Sequence, residues 1–297
     1  MSLRDFGLML TVCVVWALNN IVSKYVVSGL DVPPLFYAAA RFAVLALSTF
    51  PFLFPAPRPY WRLIVVALLM GGGNFALMFV GLKLSTASSA AVVLQLGMPM
   101  TVLLSMLMLG ERIRWRRGLG IALTFAGALM VMWDPEGLRI SAGLMFVAAG
   151  AFSGSLGAIL IKGMEGVKPL TYQAWVGFAS VWPLVALTAW LEPGQVQAAT
   201  AAGWPLVAAV LFSALVVSLA AHSGYFVLIQ RYEANLVSAL TLMTPLFTIG
   251  LGVALLHDPF GLRMAIGSAV ALTGVLIIAL RGNQVMPLLL AIRNRAQ

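Results

Sequence analysis

The chain has 297 residues, 62% apolar and only 9% charged, with 18 Lys and Arg against 9 Asp and Glu. A soluble domain carries about a quarter charged residues, so this composition excludes an ordinary soluble enzyme and a disordered chain. A spanning helix takes about 20 apolar residues, so roughly ten of them would consume the sequence and leave only short loops, with no room for a soluble catalytic domain.

The apolar stretches run over 5–27, 34–54, 61–82, 86–109, 115–133, 141–162, 170–191, 204–229, 235–256 and 262–280. Met1 to Asp5 leads straight into the first stretch with no A-x-A-type cleavage site, which predicts a retained helix rather than a signal peptide. Val32-Pro33-Pro34 and Lys168-Pro169 open the second and seventh stretches, since proline is tolerated in a first helical turn. Gly71-Gly72-Gly73 predicts a bend in the third helix and, with no lysine and hydroxyl following it, no phosphate loop. Asp134-Pro135-Glu136-Gly137 is the most polar interruption and lies near mid-chain, and Glu192-Pro193-Gly194 marks another turn. Beyond Arg281 the chain ends in a basic, partly apolar tail.

Placing the N-terminus in the cytoplasm puts 13 Lys and Arg in inner segments, four (Lys24, Lys83, Arg139, Arg263) in outer ones, and Arg41 within the membrane. That bias predicts both termini inside. The net charge of +9 then reads as topology signal and contact with anionic lipid, not nucleic-acid binding. Glu111 with Arg112, Arg114, Arg116 and Arg117 reads as an inner charge cluster. Cys13 is the single cysteine, which excludes an internal disulfide and a cysteine-based metal cluster.

The chain also repeats itself. Gln95-Leu96-Gly97-Met98-Pro99 through Leu109-Gly110-Glu111 sets against Thr241-Leu242-Met243-Thr244-Pro245 through Leu255-Leu256-His257 at a constant offset. After one inserted loop residue, Gly120 and Gly127 fall on Gly267 and Gly274. Asn20 to Lys24 likewise resembles Ala158 to Lys162. The predicted fold is therefore an all-α membrane protein of ten transmembrane helices, arranged as two inverted five-helix repeats around a central cavity. Residues 1–137 form the first repeat, 138–284 the second and 285–297 a basic cytoplasmic tail. Five is an odd number, so the second half enters the membrane the opposite way up, which is a transporter signature.

Val15-Trp16-Ala17-Leu18-Asn19-Asn20 followed by Lys24, Arg41-Phe42, Val93-Leu94-Gln95, Gly110-Glu111-Arg112 and Arg231-Tyr232-Glu233 resemble the EamA family of the drug/metabolite transporter superfamily. The resemblance runs the whole length and is nearest to bacterial exporters of cysteine and O-acetylserine, with aromatic amino-acid and threonine/homoserine exporters as cousins. It implies ten helices, cytoplasmic termini and outward movement of small metabolites across the inner membrane. The second half departs from the family's glycine-glutamate pair, with Leu256-His257-Asp258 standing there.

The residues expected to carry transport are polar groups and kinks at depth. Pro99 and Pro245 each remove an amide donor in mid-helix and clash with the carbonyls of Gln95 and Thr241, which predicts paired helix kinks at the midplane. Arg41 admits two readings, a fork for a substrate carboxylate or a structural arginine tied to backbone carbonyls. Asn19, Asn20, Asn74 and Gln95 fall in the outer halves of their helices. Ser153, Ser155, Trp175, His222, Tyr225, Thr241 and Thr244 fall at or inside the centre. Of these, Asn19, Asn20, Arg41, Asn74, Gln95, Ser155, Trp175, His222, Tyr225 and Thr241 are the candidate substrate-binding set. Intramembrane Asn and Ser also serve commonly as interhelical hydrogen bonds. The glycine pairs read as close-packing surfaces between the fifth and tenth helices, or in a dimer.

No Asp or Glu falls inside a predicted span, so His222 is the only titratable candidate at depth for proton coupling. A lone histidine is more often a packing residue, and the expectation is uncoupled export of small metabolites, amino acids above all, by alternating access. A small multidrug efflux transporter, proton-coupled through His222, is the alternative, although cationic drugs call for a buried carboxylate. A channel would show rings of charge, and an intramembrane metalloprotease a His-Glu-x-x-His helix; neither is in the sequence. No catalytic residues, metal or cofactor are expected, and the oligomer is a monomer or homodimer.

Overall fold

Backbone amides find no water in hydrocarbon, so a chain of this composition must bond them within helices. The computed structural model describes residues 1–55, 58–110, 114–134, 139–161, 164, 168–232 and 234–280, and they are helical almost throughout. Nine helical segments among them are long and apolar enough to cross a membrane: Leu3–Gly29 (α1), Pro34–Phe52 (α2), Tyr60–Lys83 (α3), Ala87–Leu109 (α4), Ala142–Ile161 (α6), Pro169–Leu191 (α7), Gln195–Arg231 (α8), Leu236–Leu256 (α9) and Leu262–Ala279 (α10). A further helix, Trp115–Met132 (α5), carries Arg116 and Arg117 in its first turn. A two-residue antiparallel pairing, Trp133–Asp134 (β1) with Arg139–Ile140 (β2), separates α5 from α6. The chain is an all-α membrane protein. Glu111 and Arg112, the Pro135-Glu136-Gly137 turn, Lys162, Glu233 and the tail from Arg281 lie outside the described residues.

The apolar pattern and the helices agree to within a few residues, with one addition. Helix α8 has a lead-in over 195–202 that hydrophobicity does not predict. Gly203, at φ 60° and ψ −143°, breaks the helix before the buried part begins, and only glycine adopts that conformation freely.

Three stretches widen to π-helix: Tyr25–Gly29, Leu68–Gly73 and Phe212–Ala221. The second of these covers the triple glycine, where the sequence predicts a bend. A π-turn frees backbone groups, and side chains collect them here. Ser180 Oγ accepts from Gly72 N at 2.8 Å, and Ser153 Oγ donates to Leu69 O at 2.8 Å. In α8, Ser218 Oγ donates to Ser213 O at 3.0 Å and His222 Nδ1 to Val217 O at 2.8 Å.

Helices α4 and α9 break in the same way. Pro99 cannot tolerate a carbonyl four residues back. The Gln95 carbonyl instead takes Met98 N at 3.2 Å, three residues on, and Leu96 N bonds Val93 O at 3.0 Å. Above Pro245 the equivalents are Thr244 N to Thr241 O at 2.9 Å and Leu242 N to Ala239 O at 3.3 Å. Both prolines are buried. Each helix then ends on a left-handed residue, Gly110 at φ 67° and His257 at φ 54°. From Gly97 to Leu109 the first helix has 13 residues, and from Met243 to Leu256 the second has 14. The inserted residue therefore lies inside α9 and not in the loop after it. Asp258, rather than His257, follows the left-handed cap as Glu111 follows Gly110 in sequence.

Helices α5 and α10 pack antiparallel along a glycine seam. A Cβ on Gly120 would lie 2.8 Å from Gly274 O, and one on Gly274 would lie 2.5 Å from Thr124 N. A Cβ on Gly127 would strike Ala271 N and sit 2.5 Å from Gly267 O. The four glycines thus serve contact between α5 and α10, where small residues let two backbones meet. Helix α2 lies along α7 in the same close manner, with a Cβ on Gly177 reaching Ala46 N at 2.7 Å.

Candidate functional site

Polar side chains from α1, α2 and the π-stretch of α8 converge on Arg41. Its side chain is fully buried, at 0% exposure. Nη2 donates to Ser218 Oγ at 2.9 Å, and Ser218 Oγ donates in turn to Ser213 O. Ser213 Oγ donates to Asn19 Oδ1 at 2.8 Å and stands 2.7 Å from Tyr37 OH, which donates to it. Arg41 Cζ lies 4.1 Å from the Phe75 ring centroid and 6.0 Å from that of Phe42. A guanidinium over an aromatic ring gains a cation–π attraction that favours this placement.

Arg41 Nε and Nη1 are buried without a partner, and so is Trp16 Nε1 on α1. Trp16 packs against His222 at 5.2 Å and against Tyr225 at 5.3 Å between ring centroids. The His222 Nδ1 proton is committed to the Val217 carbonyl, which leaves Nε2 as the free nitrogen. Buried polar groups in native proteins are nearly always satisfied, and a buried charge left unpaired costs several kcal/mol. Two of these three donor atoms belong to one ionised guanidinium, and an acceptor group, above all an anionic one, would satisfy them.

Of the predicted residues, Asn19, Arg41, His222 and Tyr225 meet in this cluster. Asn20 points away, to Thr248 Oγ1 at 3.3 Å on α9. Gln95 and Thr241 are half-buried at the two helix breaks, and Thr241 Oγ1 turns back to Ser238 O at 2.6 Å. Ser155 donates to Gly97 O at 2.9 Å, tying α6 to the broken part of α4. The amide of Asn74 lies against Gly154, where a Cβ would collide with it. Trp175 donates to Leu53 O at 3.1 Å and starts an edge-to-face ladder through Phe178 to the exposed Trp182. Sequence reasoning missed Trp16, Tyr37, Ser213 and Ser218. The five-residue spacing of Ser213 and Ser218 matches a π-turn, but nothing in a sequence marks a π-turn that lacks Gly and Pro.

A separate crevice of about 490 Å³ lies between the start of α7 and the end of α8, lined by Lys168, Thr171, Ser223, Phe226 and Gln230, and holds none of the predicted residues. Among the described residues no three His, Cys, Asp or Glu side chains gather as metal ligands.

The EamA-like transporter family matches residues 6–133 and 141–280. A protein of Salmonella typhimurium named a probable amino-acid metabolite efflux pump is 28% identical over 288 residues, spanning 93% of this chain and 95% of its own. An Escherichia coli protein of the same name is also 28% identical, over 293 residues with the same coverage. An uncharacterized transporter of Archaeoglobus fulgidus is 23% identical over 269 residues, covering 89% of this chain and 94% of its own. A solved crystal structure superposes with a TM-score of 0.57 at 18% identity, over 93% of this chain and 96% of that one, which is a likeness of fold.

Proposed function

The chain belongs to the EamA-like transporter family, a family of transporters and not of enzymes, and from that premise we propose that it exports small metabolites, amino acids above all, by alternating access. It is a multi-pass membrane protein with a small-molecule substrate. The observation that carries the substrate class is the buried guanidinium of Arg41 with Nε and Nη1 unpartnered, beside the unpartnered indole of Trp16. An α-carboxylate supplies the acceptors these donors lack. The names of the Salmonella and Escherichia relatives point the same way.

Alternating access rests on the two five-helix halves, residues 1–137 and 138–284. Matched breaks above Pro99 and Pro245, and the antiparallel pairing of α5 with α10, support inverted repeats around the Arg41 cluster. Asn19, Arg41, His222 and Tyr225 form its core. Asn20, Asn74, Gln95, Ser155, Trp175 and Thr241 line the path and its hinges. The placement is the bacterial inner membrane with both termini cytoplasmic, following the 13 to 4 basic bias. The oligomer is a monomer or homodimer. A cysteine at Arg114, in protein lacking Cys13, is expected to resist an impermeant maleimide added outside intact cells; labelling there overturns the orientation.

Export is uncoupled from protons. The only imidazole in the cluster spends its Nδ1 proton on a backbone carbonyl of its own helix. Purified protein in liposomes is expected to equilibrate labelled amino acids equally with and without an imposed pH gradient. Accumulation driven by the gradient in wild type, abolished in His222→Gln, establishes coupling through His222 and overturns uncoupled export. Absence of amino-acid flux in wild type overturns the substrate class.

A further inference from the structure

One carboxylate binds the two halves together at the membrane face opposite the N-terminus. Asp258 follows the left-handed residue His257 and turns back under α9, with its amide on Gly252 O at 3.1 Å. Its side chain is only 7% exposed. Oδ2 accepts from Ser88 N at 2.8 Å and from Ser88 Oγ at 2.7 Å, in the first turn of α4. A carboxylate here satisfies an orphan amide and sits at the positive end of the helix. Thr86 Oγ1 takes the neighbouring amide of Ser89 at 3.1 Å. The approach requires glycine at 252, because a Cβ there would lie 2.6 Å from Asp258 Oδ2 and strike Ser88 Oγ.

Beside this clasp the end of α1 is tied down as well. Lys24 Nζ donates to Leu82 O at 2.9 Å and to Lys83 O at 3.4 Å at the end of α3. Four helix ends, from α1, α3, α4 and α9, are thus fastened at one face. One turn deeper, Asn20 and Thr248 close the next layer. At the opposite face Asp5 plays a comparable part: its Oδ2 accepts from Tyr232 OH at 2.7 Å, and its Oδ1 lies 3.5 Å from Arg231 Nη1. Both faces are pinned by a carboxylate of one half reaching the other.

We propose that the Ser88–Asp258 clasp is the outer gate of the transport cycle, made when the outer face is closed and broken each time it opens. The proposal rests on the alternating-access reading above. Its geometry is suited to such a role, because the clasp joins the start of α4 to the end of α9, the two helices that carry the proline breaks.

The test uses full-length protein with Cys13→Ser. Ser88→Cys with Asp258→Cys puts one thiol at each of the two positions that the clasp joins. In liposomes, oxidation is expected to cut amino-acid flux to about a tenth or less, and reductant to restore it. A cross-linked protein that carries substrate at the reduced rate overturns the gate and leaves the function standing. The second measurement needs no substrate. Asn20→Cys is labelled by an impermeant maleimide from the outside, with and without Asp258→Ala. Loss of the clasp is expected to raise the labelling rate about fivefold or more. An unchanged rate overturns the gate, whatever the protein carries.

Discussion

Replacing Arg41 by lysine is expected to raise the KM for a free amino acid about tenfold or more, a loss of about 1.4 kcal/mol or greater in binding. Lysine keeps the charge but loses the planar fork, the contact with the Phe75 ring and the two buried donors that have no partner in the protein. It also loses the bond to Ser218, which helps to hold the π-stretch of α8. These two losses separate by substrate. If Arg41 binds the carboxylate, methyl esters of the same amino acids are carried alike by wild type and Arg41→Lys. If Arg41 only braces α8, acid and ester fall together, and the carboxylate assignment is wrong. The measurement is counterflow in liposomes with matched acid and ester, after size-exclusion chromatography has verified the folded protein.

The second large effect is on stability. Gly127→Ala is expected to cost about 2 kcal/mol or more, at the upper end of what overpacking a core costs. The added methyl group meets backbone on both sides, Ala271 N and Gly267 O, and no rotamer change relieves it. Gly118→Ala, about half a turn before Gly120 on the same helix and with nothing within 4 Å of its Cβ, is the control and is expected to be neutral or slightly stabilising. Thermal unfolding in detergent decides the matter. Equal midpoints for the two variants would show that α5 and α10 yield to each other.

Much of this was legible in the residues because hydrocarbon imposes blunt rules. The length of each apolar run gave the helices, and Arg41, an intramembrane charge, pointed to the candidate site. Pro99 and Pro245 marked the breaks because a missing amide has a fixed consequence four residues back. The partners of Arg41 were illegible for the opposite reason. Ser213 and Ser218 look like any membrane serine that bonds its own helix, and only the π-register turns them toward α1 and α2. Asp258 was concealed by a single residue. Constant spacing set Leu256 against Gly110, whereas α9 runs one residue longer and His257 takes the left-handed position. A carboxylate that reads as a loop residue thereby becomes a buried one.

The seam between α5 and α10 bears on ancestry. Its contacts, Gly120 with Gly274 and Gly127 with Gly267, exchange with one another under a two-fold rotation. On the reading that the halves are repeats, an ancestral half-length protein carried a single such helix and needed a second copy, inserted upside down, to cover it. Its pairing then depended on how many copies the membrane held in each orientation. Joining the copies in one chain replaced that mass-action requirement with a fixed local concentration. Each half was then free to accept substitutions the other did not share, and Arg41, with no counterpart charge inside the second half's spans, is one such asymmetry.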